Sequence, residues 1–301
     1  RPSIAAVPRF RKMVIPAHVF AVFLIIGGLA MMQATPANAA KYAAIVIEEH
    51  SGRVLFARNA DQARYPASLT KIMTLYLLFE ELEARRLTMD TKMRVSRTAA
   101  GRSPSKLYLK ADQTLTVRDA IYALITKSAN DVATVVAEHL SGTEREFGKR
   151  MTRKALALGM NRTNFRNASG LPHSKQKSTA RDMARLGIAI RRDFPQYFGF
   201  FSTTSFRWKG KRFGNHNKLL SKYDGTDGIK TGYINASGFN LVATVERHGL
   251  RLVGVVFGGR SSKSRDAHMV QILEKSFKRA KPADIHTQLA DTGSRTRLVP
   301  K

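Results

Sequence analysis

Residues 65–74 read YPASLTKIMT, and they open a broad apolar stripe with helical spacing. Because the apolar positions continue well beyond this segment, we predict a helix from about Ser68 to Arg85 that is buried on most sides. Residues three apart lie on the same face of a helix, which places the hydroxyl of Ser68 within reach of the amine of Lys71. The segment therefore predicts a central helix that carries a serine and a lysine side by side.

The Ser68–Lys71 pair suits nucleophilic catalysis. Serine is a weak nucleophile until a neighbour takes its proton, and lysine takes a proton only when it is neutral. Burial or a nearby positive charge produces a neutral lysine by lowering its pKa. Backbone N–H groups at the predicted helix start would favour a developing oxyanion at Ser68. Ser-x-x-Lys also arises by chance, so this motif alone leaves open a helix N-cap serine with an unrelated lysine.

A second motif, Ser128-Ala129-Asn130, separates two predicted helical runs, 115–127 and 131–140. Its serine can relay a proton to a leaving amine. Its asparagine can hold a substrate amide or orient Lys71. The alternative is an ordinary helix-break turn that Ser or Asn caps.

A third motif, Lys230-Thr231-Gly232, lies on a predicted strand, 229–234. Lysine can bind a carboxylate and threonine adds a hydroxyl donor. Glycine leaves room for an extended substrate along the strand edge. A solvated edge-strand lysine is the alternative. Ser-x-x-Lys, Ser-x-Asn and Lys-Thr-Gly in this order form one known catalytic set, so the three motifs together predict one active site.

The predicted strands fall at both ends of the chain, and the predicted helices lie mostly between them. This order favours an α+β fold, with an antiparallel sheet built from both ends, flanking helices and a helical subdomain. The remaining predicted strands are 43–49, 53–58, 239–246 and 250–257, and the remaining predicted helices are 144–157, 179–191 and 265–279.

The first forty residues have the layout of a signal peptide. A basic start precedes the uncharged apolar stretch 19–32 and the small-x-small triplet Ala37-Asn38-Ala39. We expect residues 1–40 to be a signal peptide, cleaved or retained as an anchor, that directs export across the inner membrane to the periplasm or cell envelope. Residues 41–280 are the predicted catalytic domain, and 281–301 a flexible tail.

The composition narrows the chemistry. The net charge is +29 and there is no cysteine, which excludes disulfides, thiolate catalysis and cysteine zinc sites. The eight histidines show no metal-ligand spacing, and His139, His216 and His248 receive no role. Basic residues are scattered without a nucleic-acid motif, so we expect no nucleic-acid partner. The basic surface favours peripheral association with membrane or wall, and a non-catalytic polyanion- or wall-binding protein is the alternative from another class.

The chain resembles the D-alanyl-D-alanine carboxypeptidases, low-molecular-mass penicillin-binding proteins of peptidase family S11. The segments that carry the resemblance are 65–74, 167–172 (NASGLP), 178–183 (STARDM) and 227–233 (DGIKTGY). It extends over roughly residues 43–280. The resemblance implies a β-lactamase/transpeptidase-like fold and removal of the terminal D-alanine from peptidoglycan stem peptides that end in D-Ala-D-Ala.

The resemblance also implies the catalytic roles. Ser68 would form the acyl-enzyme with the penultimate D-alanine, and Lys71 would be the general base. Ser128 would pass a proton to the leaving group, and Asn130 would position the substrate. β-Lactam antibiotics would acylate Ser68 as substrate mimics.

The third motif receives the remaining implied roles. Lys230 and Thr231 would bind the terminal carboxylate beside Gly232. The oxyanion hole would consist of the backbone N–H groups of Ser68 and Tyr233. No metal and no organic cofactor are implied.

Two other activities of similar enzymes remain open at this point. A class A β-lactamase needs a carboxylate to activate the deacylating water. This chain has no glutamate between Glu146 and Glu246, and Ala129 occupies the middle of the second motif, both of which disfavour a β-lactamase. A D,D-endopeptidase that cuts peptidoglycan cross-links has the same motifs, and the sequence does not separate it from a carboxypeptidase.

Overall fold

The computed structural model describes residues 41–280, so the predicted signal peptide and C-terminal tail lie outside the described residues. Its principal element is a five-stranded antiparallel sheet with the strand order β2-β1-β9-β8-β7. Two short two-stranded antiparallel sheets, β3-β4 and the hairpin β5-β6, lie apart from it. In this part of the chain the strands are β1 (Ala43–Glu48), β2 (Val54–Arg58), β3 (Lys92–Arg94), β4 (Thr114–Thr116), β5 (Ser205–Trp208), β6 (Lys211–Gly214), β7 (Thr226–Ile234), β8 (Gly238–Arg247) and β9 (Leu250–Gly259).

The two ends of the described chain meet in this sheet. Ala43 of β1 lies opposite Phe257 of β9, and the pairing continues to Glu48 opposite Leu252. Strands β1, β8 and β9 are apolar on both faces because helices cover both sides of the sheet. The predicted α+β fold with a sheet built from both ends is therefore confirmed.

The helices form the second part of the fold. Helix α6 covers one face of the sheet, and α9 covers the other. Helix α1 lies in the larger apolar core with both neighbouring helices α4 and α6, and all but two of its residues are buried. The helices are α1 (Lys71–Glu83), α2 (Arg97–Ala100), α3 (Val117–Tyr122), α4 (Asn130–Ser141), α5 (Glu144–Ala157), α6 (Ala180–Asp193), α7 (Pro195–Phe198), α8 (Leu219–Lys222) and α9 (Ser262–Arg279). Within residues 41–280, no helix combines the length and apolar character needed to cross a membrane.

Side-chain caps fix where several helices begin. The Thr116 hydroxyl accepts a hydrogen bond from the Asp119 N–H at the start of α3. Thr179 caps α6 in the same way, and Ser261 forms a capping box with Ser264 at α9. Because of that capping box, α9 begins three residues before the predicted 265.

Two predicted helices differ from the structure. The helix expected from Ser68 begins as a 3₁₀ turn, Ala67–Thr70, and becomes α-helical only at Lys71. The predicted helical run 115–127 is divided among three different elements in the structure. It contains the end of β4, the short α3 and a wide π turn, Ala123–Lys127, after which Ser128 adopts a left-handed conformation. Both departures occur at predicted site residues, where tertiary contacts outweigh the local helical pattern.

Phe257, in the middle of the sheet, provides a test of this architecture. Its side chain is fully buried in the larger core, so Phe257→Ala leaves a cavity and should lower the free energy of unfolding by about 3–5 kcal/mol. Val54 on the edge strand β2 is 43% exposed, so Val54→Ala should cost less than about 1 kcal/mol. Chemical denaturation measures both values, and equal effects would contradict the placement of β9 at the centre.

Candidate active site

The amine of Lys71 lies at the centre of the site. Its Nζ is 3.2 Å from Ser68 Oγ, and it donates hydrogen bonds to Asn130 Oδ1 at 2.7 Å and to the Ser169 carbonyl at 2.6 Å. The last two atoms only accept hydrogen bonds. A neutral amine has two N–H donors and one lone pair, so once both donors are used the lone pair can take the Ser68 proton. The structure thus brings together the first and second predicted motifs.

The environment of Lys71 favours its neutral form. Its side chain is fully buried, and this burial lowers the pKa of Lys71 well below the ordinary 10.5. The positive charge of Lys230 lowers the pKa of Lys71 further, against an opposing effect of the carboxylates of Asp131 and Glu144. Desolvation is the largest of these effects, so burial is the main reason that the amine loses its proton more easily than an exposed lysine.

The 3₁₀ turn that carries Ser68 is fixed by two neighbouring segments. Asn240 on β8 donates through its Nδ2 to the carbonyl of Tyr65, and its Oδ1 accepts from the Gly258 N–H. On the other side, Gly170 has φ of +86°, and a Cβ there would lie 1.8 Å from the carbonyl oxygen of Ala67. Only glycine fits this position, because both the backbone angle and the contact exclude a side chain.

Ser128 lies at the end of the π turn with φ of 59° and ψ of 41°. Its side chain is buried, and its hydroxyl has no hydrogen-bond partner within residues 41–280. A buried hydroxyl without a partner costs free energy, so this group is held ready for a partner that the folded chain does not supply. Asn130 is fixed by its own N–H, which donates to the Ser105 carbonyl, and by its Nδ2, which donates to the Ser103 carbonyl.

The third motif lies on β7, an edge strand that pairs only with β8 within the described sheet. A Cβ on Gly232 would approach the backbone nitrogens of Ser68 and Leu69 to 3.0 and 3.1 Å. The glycine is therefore required by the chain's own nucleophile turn, a reason that differs from the space for substrate expected from the sequence. Tyr233, the next residue, has a half-exposed side chain at the cleft wall.

Lys230 and Thr231 occupy different positions in the third motif. Thr231 lines the cleft, whereas the buried Lys230 lies behind it and donates from its Nζ to the Thr231 carbonyl at 3.0 Å. Burial, with a smaller effect of Arg265, lowers the pKa of Lys230 to about 7. Lys230 can therefore influence the cleft only from behind Thr231, which separates its amine from the open space.

A cleft of about 490 Å³ opens at Ser68. It contains every predicted site residue except the two buried lysines. The lining residues are Ser68, Pro104, Ser105, Ser128, Asn130, Gly170, Leu171, His216, Lys218, Thr231, Gly232, Tyr233, Ile234, Phe239, Ser262 and Arg265.

Three basic residues of this lining were given no role from the sequence, namely His216, Lys218 and Arg265. Arg265 is buried in the first turn of α9, where the helix dipole disfavours a cation. An arginine at the start of a helix was the feature of the sequence that could have indicated a role for it. His216 gave no such signal. Desolvation at the cleft wall and the charges of Lys230, Lys127 and Lys218 lower the pKa of His216 to about 4, so it is neutral at physiological pH.

Few carboxylates of the described chain lie near Ser68. Glu144 comes near Lys71, but its carboxylate is paired with Arg102, accepts from the Ala168 N–H and does not line the cleft. It is therefore not placed to activate a water at Ser68. Among residues 41–280 there is no cluster of three or more metal-ligating side chains.

Comparison with known proteins settles the family. The sequence profile of D-alanyl-D-alanine carboxypeptidases, peptidase family S11, matches residues 30–261. The chain belongs to this family. Family membership confirms the resemblance inferred from the motifs.

Curated relatives of the S11 family extend beyond the matched region. DacF, a D-alanyl-D-alanine carboxypeptidase of Bacillus subtilis, is 34% identical over 238 residues, which cover 78% of this chain and 61% of the relative. DacA of Escherichia coli K12 is 34% identical over 243 residues, covering 78% of this chain and 60% of the relative. The chain therefore spans about three fifths of the length of these relatives.

Solved S11-like structures share the fold. Penicillin-binding protein 5 of Haemophilus influenzae has a TM-score of 0.76 at 34% identity, covering 78% of this chain and 70% of that one. Cefotaxime-bound penicillin-binding protein D2 of Listeria monocytogenes has a TM-score of 0.72 at 31% identity, covering 78% of this chain and 96% of that one. These matches confirm the predicted β-lactamase/transpeptidase-like fold.

The electrostatic coupling between the two buried lysines is testable through the pH dependence of acylation. Because the charge of Lys230 lowers the pKa of Lys71, Lys230→Gln should raise it. The acid limb of the profile, where Lys71 gains its proton, should then move to higher pH. Acylation by a fluorescent penicillin, followed from about pH 5 to pH 10, measures the midpoint.

Lys218→Gln is the matched control, because Lys218 also lines the cleft but is exposed. We expect it to leave the midpoint in place. A midpoint that is unchanged or lower in Lys230→Gln would contradict the coupling.

Proposed function

We propose that the protein is a serine-type D-alanyl-D-alanine carboxypeptidase that removes the terminal D-alanine from peptidoglycan stem peptides. The observation that carries the proposal is the buried, desolvated amine of Lys71 between Ser68 Oγ and Asn130 Oδ1 at the base of an open cleft. Such an amine turns a serine into a nucleophile without a metal or cofactor.

Acylation follows from this arrangement. Neutral Lys71 takes the proton of Ser68 as its Oγ attacks the carbonyl carbon of the penultimate D-alanine. The oxyanion that forms is assigned to the backbone N–H groups of Ser68 and Tyr233. When the C–N bond breaks, the leaving D-alanine amine receives a proton through Ser128, whose buried hydroxyl has no partner within the described chain.

Deacylation returns the enzyme to its starting state. Water attacks the Ser68 ester, its proton passes to Lys71, and the bond between Oγ and the acyl carbon breaks. Ser68 recovers its proton, and the stem peptide leaves one D-alanine shorter. Asn130 holds the Lys71 amine in place throughout, since its own Nδ2 is anchored on the Ser103 carbonyl.

The third motif supplies the substrate's binding groups. An extended peptide can add to the free edge of β7, as peptides do at exposed sheet edges. Its terminal carboxylate would meet the Thr231 hydroxyl at the cleft wall, with the positive charges of Lys230 and Arg265 close behind. This requirement for a free carboxylate favours release of a C-terminal residue.

β-Lactams belong to the same proposal. They carry a carboxylate beside a strained amide, which matches the groups that this cleft would bind. The solved forms of the Listeria relative with cefotaxime and with ampicillin support this assignment. Attack of Ser68 Oγ on the strained amide would break its C–N bond and leave the opened β-lactam as an ester on Ser68.

The location of the enzyme follows the same reasoning. We assign residues 1–40 to a signal peptide, 41–280 to the catalytic domain and 281–301 to a tail. The protein would act in the periplasm or cell envelope, where its substrate lies. Its net charge of +29 would favour peripheral association with the anionic wall or membrane surface.

Ser68→Ala tests the proposed nucleophile. We expect the wild-type protein to bind a labelled penicillin covalently and to release one D-alanine from a stem pentapeptide. The substitution should abolish both, because among residues 41–280 no other hydroxyl is hydrogen-bonded to the Lys71 amine. Gel fluorescence and mass spectrometry measure the two activities. Ser262→Ala, another serine of the cleft lining, is the control and should retain them.

Two results would overturn parts of this proposal. Labelling that survives Ser68→Ala would refute the assigned nucleophile. Cleavage of cross-linked peptide dimers without release of D-alanine from pentapeptide would show a D,D-endopeptidase instead.

A further inference from the structure

The hairpin of β5 and β6 places like charges against each other. In its register Arg207 lies directly opposite Arg212, and both side chains are exposed. Like charges at directly opposed positions destabilise a two-stranded pair. The arrangement therefore costs stability in the isolated chain.

The turn of the hairpin adds to this cost. Lys209 and Gly210 connect the strands, and both have positive φ, 46° and 79°. Two-residue turns with two positive φ angles prefer Asn-Gly or Asp-Gly. A lysine at the first position adds backbone strain to a hairpin that already carries two opposed arginines, and it presents another cation at the tip.

No carboxylate balances these charges locally. Residues 194–223 contain no aspartate or glutamate. Helix α5 differs, because its Lys149, Arg150 and Lys154 are all paired with glutamates. Within residues 41–280 none of the basic residues of 194–223 forms an ion pair, and these residues are Arg207, Lys209, Lys211, Arg212, Lys218 and Lys222.

The hairpin borders the active-site cleft. The chain passes directly from β6 to His216 and Lys218, which line the cleft, and Asn217 donates to the Gly228 carbonyl on β7. On its other side, Lys127 lies over the Phe213 ring at 5.5 Å, one residue before Ser128. A polymer whose end enters the cleft can therefore continue over the hairpin.

The aromatic residues of the hairpin identify the kind of partner. Phe206, Trp208 and Phe213 pack against the large apolar core, so the hairpin presents cations rather than an apolar face for insertion into a membrane. We propose that it is a docking surface for a carboxylate-bearing linear polymer. Resting on the proposed function, this polymer is the peptidoglycan whose stem peptides enter the cleft.

Sedimentation with purified peptidoglycan sacculi tests the surface without requiring turnover. The double variant Arg207→Gln/Arg212→Gln should bind sacculi about tenfold more weakly than the wild type at low salt. Its Tm should not fall, because the substitution removes a repulsion. Arg145→Gln/Arg153→Gln removes the same charge from exposed positions on α5 and should bind as the wild type does.

Arg212→Glu separates binding from folding. It places opposite charges across the pair, so it should raise Tm while it weakens sacculus binding about as much as the double variant does, because both change the net charge by about two units. Sacculi whose carboxylates have been amidated should bind the wild type as weakly as native sacculi bind the double variant. Release of D-alanine from a soluble pentapeptide should be unchanged in all hairpin variants.

Three outcomes would overturn the inference. In the first, the double variant binds sacculi as tightly as the wild type does. In the second, the α5 control loses as much sacculus binding as the double variant. In the third, the double variant binds phosphatidylglycerol vesicles more weakly but binds sacculi normally. The last would identify a membrane surface instead. These outcomes are distinct from failure of the proposed function, which would appear as absent penicillin labelling with sacculus binding intact.

Discussion

The structure depends on one buried amine. Lys71 Nζ sits between Asn130 Oδ1, the Ser169 carbonyl and Ser68 Oγ, and each of these atoms belongs to a different segment of the chain. A charged ammonium would carry a large desolvation cost at this depth, so the same burial that closes the core keeps the amine neutral, with its lone pair able to accept a proton. The packing that folds this region therefore also lowers the pKa of Lys71.

Close backbone contacts hold the Ser68 turn in position beside Lys71. Gly170 and Gly232 let two other segments approach the Ser68 turn at distances that exclude a side chain. Asn240 bonds the turn to the central sheet. The edge strand β7 is thereby fixed beside the nucleophile while its other edge stays free for a peptide. Stability and substrate alignment rest on the same close contacts.

Much of this arrangement could be predicted from the sequence. The sheet built from both ends, the helix after Ser68 and the cap at Thr116 follow from apolar periodicity and hydrogen-bonding chemistry. The three motifs identified the residues that the structure gathers around Lys71. Local sequence patterns predicted the structure best in segments whose conformation is determined by burial and by helix capping.

The remainder depends on contacts distant in sequence. The 3₁₀ turn at Ser68 departs from the predicted helix because partners from other segments hold it. The burial of Lys230 behind Thr231 and the cleft position of Arg265 arise only when β7 and α9 pack together. The hairpin of β5 and β6 was missed because its two strands have only four residues each.

The protonation state of Lys71 is the most direct test of this account. Lysine ¹³Cε chemical shifts, titrated by NMR and assigned by comparison with Lys71→Met, report the pKa of this single amine. The account predicts that Lys71 loses its proton well below the ordinary lysine pKa of 10.5. A Lys71 that stays protonated up to about pH 10 would contradict it.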